Sequence, residues 1–230
     1  MAASGPNIVT TGLVLCLDAA NKKSYAGSGT TWTDLSISGN NGTSTGATFN
    51  SGNKGSFSFD GDDDYISLGE TFTMDSDDAT LMWWMAPSSA TTDYNLFGAS
   101  SNTGVLKLIE FRQTFFYAES NNNCGYFNSP AFTAWSNNEW HHVTVRFLGD
   151  RAYWYIDGNS IGETEDYGTI DCGATVLNDL GQYNTTLGYF GSGGYSNRYT
   201  GLLNDIMLYN RGLSNTEILQ NYNALKRRFE

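Results

Sequence analysis

The chain has 230 residues, 12 of them Lys or Arg and 24 Asp or Glu, and its net charge of −12 repels a phosphate backbone and excludes nucleic acid as a partner. With 26 Gly, 3 Pro, 14% aromatic and 16% charged residues, the composition suits strands and turns around a sizeable core and excludes disorder over most of the length. No apolar run approaches the ~20 residues of a spanning helix, and residues 1–10 (MAASGPNIVT) lack the basic start and apolar stretch of a signal peptide, so folding in a cytosol without membrane insertion is expected.

In chain order, residues 1–11 read as an N-terminal arm and residues 12–230 as one all-β domain, since neither a composition break nor a repeat divides them. Leu13 to Asp18 (LVLCLD) has the length and apolar character of an inner strand. From Asn21 to Asn53 the chain is rich in Gly, Ser, Thr and Asn, a long loop with Trp32, Leu35 and Phe49 as anchors. Ser56 to Asp60 alternates, Asp60-Gly61 turns the chain, and Tyr65 to Leu68 resumes. Ala79 to Ala86 (ATLMWWMA) predicts a strand buried on both faces and stopped by Pro87.

Further strands are predicted at Tyr94 to Ala99, Val105 to Phe111, Phe115 to Ala118, His142 to Leu148, Ala152 to Asp157 and Tyr183 to Phe190. Leu148 to Arg151 closes a hairpin, and Asp157-Gly158-Asn159 makes the next turn. A helix over 214–226 ends the chain. Ser214 and Glu217 have capping-box spacing, Leu213 and Ile218 are placed as a hydrophobic staple, and Ile218, Leu219, Tyr222 and Leu225 form an apolar stripe. Lys226, Arg227 and Arg228 put positive charge at the negative end of the helix dipole.

Strand parity sorts the best-defined hairpin into two faces. Val143, Val145 and Phe147 share one side with Ala152, Trp154 and Ile156; His142, Thr144 and Arg146 share the other with Tyr153 and Tyr155. If the first side is core, the second is a polar and aromatic surface, and His142, Arg146, Tyr153 and Tyr155 become the candidate ligand site. The alternative is an ordinary solvent face or a contact with another subunit, which leaves a homo-oligomer open. His141 and His142 point to opposite faces and cannot share a metal. Tyr126, Phe127, Phe132 and Trp135, around Pro130, read as core anchors of a loop. Cys16, Cys124 and Cys172 lack a CxxC spacing and read as buried thiols, with a Cys124–Cys172 bridge left open.

Three segments resemble a known family: Ser58 to Tyr65 (SFDGDDDY), Trp140 to Gly158 with its HHV strand and YIDG turn, and Asp205 to Ile218 (DIMLYNRGLSNTEI). Together they look like the laminin-G-like branch of the concanavalin A-like lectin/glucanase superfamily. Gly5 to Thr43 further resembles the opening of such domains in virion proteins of tailed marine phages, differing at Ile37 and Ser38, where that pattern has Gly and Asn; a third departure is Asp62, where Val is usual.

The resemblance implies a jelly-roll sandwich of two antiparallel sheets with a short C-terminal helix. It also implies a structural Ca²⁺ held by separated loops, with Asp34, Asn40, Asp60 and Asp205 as the matching oxygen donors. The competing reading makes Asp34 and Asp60 organisers of Asx turns. Asp60, Asp62 and Asp64 alternate as at the start of an EF-hand, but Tyr65 and Thr71 stand where the glycine and the bidentate glutamate belong.

Glycosidases of this fold pair carboxylates on alternate strand residues; this chain lacks that pattern, and the acidic run Glu163 to Asp166 reads as a solvated loop. The resulting expectation is a non-enzymatic phage structural protein, an exposed head decoration or fibre module. It would sit on the virion, docked on capsid or fibre proteins, after assembly in the host cytoplasm. The alternative is an adhesin that binds a host-surface glycan, with a glucanase-like hydrolase ranked behind both.

Overall fold

The computed structural model describes residues 6–52, 54–68, 78–101, 104–120, 125–148, 151–165, 185–187 and 198–230. Within them two eight-stranded antiparallel sheets face each other. The first runs β14 (Asn159–Glu165), β13 (Arg151–Ile156), β12 (His141–Leu148), β7 (Ala79–Pro87), β16 (Thr200–Tyr209), β5 (Ser56–Asp60) and β4 (Thr48–Asn50), with β1 (Leu13–Leu17) also paired to β16. The second runs β11 (Gly125–Asn128), β10 (Phe115–Ser120), β9 (Gly104–Arg112), β8 (Asp93–Ser101), β15 (Thr185–Leu187), β6 (Tyr65–Leu68), β3 (Gly42–Thr45) and β2 (Thr31–Trp32). Helix α1 (Asn215–Phe229) lies on the outer face of the first sheet. The predicted sandwich with a terminal helix is therefore the observed one.

The main core fills the space between the sheets. Leu81, Trp83 and Met85 of β7, Val143 and Val145 of β12 and Phe57 of β5 enter it from one side, and Ile66, Leu96, Phe97 and Phe111 from the other. All nine residues of β7 are buried. Their alternate side chains, Met82 and Trp84, face a second apolar layer under α1 that includes Tyr209, Leu213 and Ile218. Each such side chain contributes about 1.5–3 kcal/mol on full burial.

The helix begins as its sequence signals. The Ser214 side chain accepts from the Glu217 amide at 3.3 Å, and Glu217 Oε2 accepts from the Ser214 amide at 2.8 Å, while Leu213 and Ile218 are both buried. It runs to Phe229, three residues past the predicted end, because Phe229 stacks on Trp84 with ring centroids 4.2 Å apart. The predicted stripe is also shifted. Leu219 is exposed, and the buried position is Asn221, which accepts from the Val9 amide at 2.8 Å and donates to the Tyr209 hydroxyl at 3.0 Å. A polar group is stable there because it is fully partnered, and it ties the N-terminal arm to the helix.

Arg228 anchors the far end of α1. Its Nη1 lies 2.7 Å from Asp18 Oδ1 and 2.7 Å from Asp205 Oδ2, and Nη2 lies 3.1 Å from Asp18 Oδ2. Asp205 takes up a positive φ of 46° at a bulge in β16, between Asn204 and Met207, and the extra residue re-aims its side chain. Burial, then the neighbouring Asp18 charge, pushes the Asp205 carboxyl well above the usual carboxylate range, against the pull of Arg228.

Other local expectations are adjusted. Glu163 and Glu165 belong to β14 rather than to a loop, and Glu163 pairs with Arg151 across the hairpin at 2.8 Å. Cys16 is a free, buried thiol, pushed up to about 12 by burial. Cys124, Cys172 and Asp166 lie outside the described residues, as do the Gly149-Asp150 turn and all of the strand expected over 183–190 except Thr185–Leu187. No helix among the described residues is long and apolar enough to cross a membrane.

Replacing Arg228 with Ala leaves two carboxylates facing each other under the helix. The expected loss of stability is about 3 kcal/mol at neutral pH, read by urea denaturation. The deficit should grow with rising pH, because an uncompensated Asp205 is tolerated only while protonated. A loss independent of pH would exclude this charge-burial account.

Candidate functional site

The face carrying His142, Arg146, Tyr153 and Tyr155 is where parity places it, but α1 roofs most of it. His142 is fully buried beneath the helix, its ring 5.1 Å from Trp84 and 5.7 Å from Tyr222. Tyr155 is buried as well, donating to Asn215 Oδ1 at 2.7 Å. Arg146 donates to the Leu213 carbonyl at 2.8 Å and to Asn215 Oδ1 at 3.0 Å, so it braces the helix N-terminus. Tyr153 keeps partial exposure, its ring 4.5 Å from the Arg146 guanidinium. Three of the four expected ligand residues thus hold α1 in place. The apolar stripe of the helix needs a partner, and this face supplies it; parity within one hairpin carries no information about that cover.

The four expected calcium ligands are each taken up by protein partners, Asp34 and Asn40 within one loop. Asp34 accepts from the amides of Cys16, Ser36 and Asn40 at 2.7, 2.8 and 2.9 Å, so its oxygens are spent organising the 34–40 loop. Asn40 Nδ2 donates to the Val14 carbonyl at 3.1 Å. Asp205 is held by Arg228. Asp60 instead lies near Asp63 and Asp64, accepts from the Asp62 amide at 2.8 Å, and donates its own amide to Asp64 at 2.8 Å. The donor set does not fit one cation; the Asx-turn alternative describes Asp34 and Asp60.

A different concavity is open. The segment 129–140 crosses the gap between the sheets, held by the Phe132 amide on the Thr114 carbonyl at 2.9 Å and the Asn138 amide on the Pro87 carbonyl at 2.7 Å. It leaves a cavity of about 350 Å³ against the ends of β12, β13 and β14. Two glycines permit this geometry. Asp157 and Gly158 both have positive φ, 50° and 74°, as a tight two-residue hairpin turn requires. Gly162 has φ 125°, and a Cβ there would stand 2.9 Å from Pro130.

Phe132, Trp135, Ile156 and Ile161 form the apolar wall of the cavity, and Glu139, His141 and Asp157 are its titratable groups. Trp135 stacks on His141 with ring centroids 4.0 Å apart and on Phe132 at 5.0 Å, which fixes the imidazole plane. Asp157 Oδ2 lies 2.9 Å from His141 Nδ1, while Oδ1 accepts from the His142 amide at 2.9 Å. His141 Nε2 is buried with no hydrogen-bond partner, 3.7 Å from Glu139 Oε2. The Ser136 amide donates to that glutamate oxygen at 3.1 Å and holds the Glu139 carboxyl below the usual carboxylate range.

Local sequence patterns single out Phe132, Trp135, His141, Ile156 and Asp157 one at a time, but neither Glu139 and Ile161 nor the pocket they form together. Phe132 and Trp135 pack on the core as the sequence suggests. His141 points away from His142, also as expected; what goes unseen is that a loop and a hairpin turn meet around it.

The fold defines a lectin-like sandwich. The family profile described as concanavalin A-like lectin/glucanases superfamily matches residues 60–219, and the chain belongs to that superfamily. Among curated proteins no sequence matches it. Similar solved structures include Trypanosoma rangeli sialidase in complex with sialic acid, at 18% identity and a TM-score of 0.67, covering 99% of this chain and 36% of the sialidase chain. Another is domain 4 of an extracellular arabinanase from Geobacillus stearothermophilus, in complex with arabinotriose, at 17% identity and a TM-score of 0.63, covering 93% of this chain and all of that domain. The chain spans about a third of the sialidase's length.

These findings correct the expectation of a phage decoration or fibre protein. The family is that of the concanavalin A-like lectins and glucanases, and the fold is shared with a sialidase and an arabinanase domain, which points to carbohydrate rather than to a virion.

His142 gives the covered face a pH dependence. Burial lowers its pKa to about 4 from 6.5, so the folded protein holds it neutral. The stabilisation is complete above about pH 6.5 and is lost as pH falls through about 4, a span worth on the order of 3 kcal/mol. In His142→Leu this slope should flatten, measured as the urea midpoint between pH 7 and pH 4.5. An unchanged slope would assign the acid sensitivity to other groups.

Proposed function

We propose that this chain is a carbohydrate-binding domain that holds a saccharide without cleaving it. The observation that carries the reading is the pocket around His141, where an apolar and aromatic wall faces a few fixed polar groups. Sugars offer the matching chemistry: C–H faces for Phe132, Ile156 and Ile161, and hydroxyls for Glu139 and the free His141 Nε2. The superfamily and the arabinotriose complex of a domain with the same fold support this direction.

Binding without cleavage follows from how the carboxylates are used. Glycoside hydrolysis needs one carboxyl as acid and a second as base or nucleophile. Both oxygens of Asp157 are engaged, by His141 and by the His142 amide, which leaves Glu139 as the one remaining carboxylate among the described lining residues.

Titration calorimetry against a panel of neutral oligosaccharides, arabinotriose among them, should give saturable binding with a change in indole fluorescence from Trp135. Glu139→Ala, at a side chain 50% exposed, should weaken binding roughly tenfold or more through loss of a charged hydrogen bond, with the fold checked by the urea midpoint. Tyr153→Ala, on the helix side of the sheet, should leave it unchanged. Equal loss in both variants, or unaltered binding by Glu139→Ala, would move the site elsewhere.

A further inference from the structure

We infer that the pocket discriminates by charge, accepting saccharides that offer hydroxyl donors and rejecting those that carry a carboxylate; this rests on the carbohydrate-binding reading above. The reason is that the two titratable groups left to a ligand, His141 through Nε2 and Glu139 through its carboxylate, both present acceptors. Asp157 is fixed by the His142 amide on Oδ1 and faces His141 Nδ1 with Oδ2, at 2.9 Å each. In the neutral imidazole this partner places the hydrogen on Nδ1, which leaves a lone pair on Nε2.

That lone pair is buried and unmet. His141 is 9% exposed, its plane is held by Trp135 at 4.0 Å, and Glu139 Oε2, at 3.7 Å, is both too distant and itself an acceptor. A buried acceptor without a donor is costly, and a ligand hydroxyl that donates to Nε2 removes that cost, while a second hydroxyl can donate to Glu139. A carboxylate brings no hydrogen to either group.

Charge acts in the same direction. Among the described residues lining the cavity there is neither Lys nor Arg, whereas Glu139 and Asp157 both line it. An acidic sugar would enter as a third negative charge beside two fixed ones, in a chain whose net charge is already −12. Selectivity of this kind comes from what the site repels as much as from what it binds.

The test uses the whole chain at pH 7.5 and two ligands that differ only in carboxylation, galactotriose and trigalacturonate, with arabinotriose and sialic acid as a second neutral and acidic set. The neutral member should bind at least roughly tenfold more tightly in each set. Glu139→Gln replaces a fixed acceptor by an amide with donors, and should narrow the gap to within about threefold by improving the acidic ligand.

Acidic ligands that bind as tightly as neutral ones would overturn the selectivity while leaving the pocket a saccharide site. A gap untouched by Glu139→Gln would also overturn it, since exclusion would not come from this carboxylate. Failure of every saccharide to bind at millimolar concentration would remove the carbohydrate reading itself and the inference with it.

Discussion

Arg228 holds helix α1 against the first sheet. Its guanidinium reaches back from the last turn of α1 to Asp18, just after β1, and to Asp205, at the bulge of β16, and so joins three points remote in sequence. A charge buried with two carboxylates is costly unless it is well partnered, and here three contacts of 2.7 to 3.1 Å provide for it. Once the helix end is pinned, Phe229 must lie on Trp84 and Asn221 must meet Tyr209 and the N-terminal arm. Each of these contacts depends on the same docking angle.

Docking the helix decides which surfaces are available. The outer face of the first sheet is given over to α1, with Arg146 and Tyr155 converging on Asn215 as supports. The open concavity lies instead at the ends of β12, β13 and β14, where the 129–140 segment closes one side of it. The two histidines at the start of β12 mark this division. His142 is sealed under the helix and kept neutral by burial, while His141, one residue earlier, turns into the pocket and is oriented by Asp157. Asp157 serves both, since one oxygen faces the His141 ring and the other accepts from the His142 amide.

This arrangement places the pocket on rigid parts. A tight turn with two positive φ values, a ring stack through Phe132, Trp135 and His141, and a glutamate held by Ser136 leave little to reorganise when a ligand enters. Preorganised acceptors suit a ligand with many hydroxyl donors.

Much of the fold was legible in local patterns. Alternation in Ser56–Asp60 and the β12 hairpin, the apolar run of β7, the Asp157-Gly158 turn and the capping box of Ser214 and Glu217 each depend on neighbours within a few residues, so the sequence by itself determined them. It also determined that His141 and His142 part company, because strand periodicity alone requires it. Which face of the sheet stays open, where Asp34, Asn40, Asp60 and Asp205 find their partners, and that Trp135 and Asp157 meet across His141 were decided only by the tertiary structure. The physical reason is range: burial under a helix and pairing between loops join residues tens to hundreds of positions apart, as with Asp18 and Arg228, and no local period encodes such meetings.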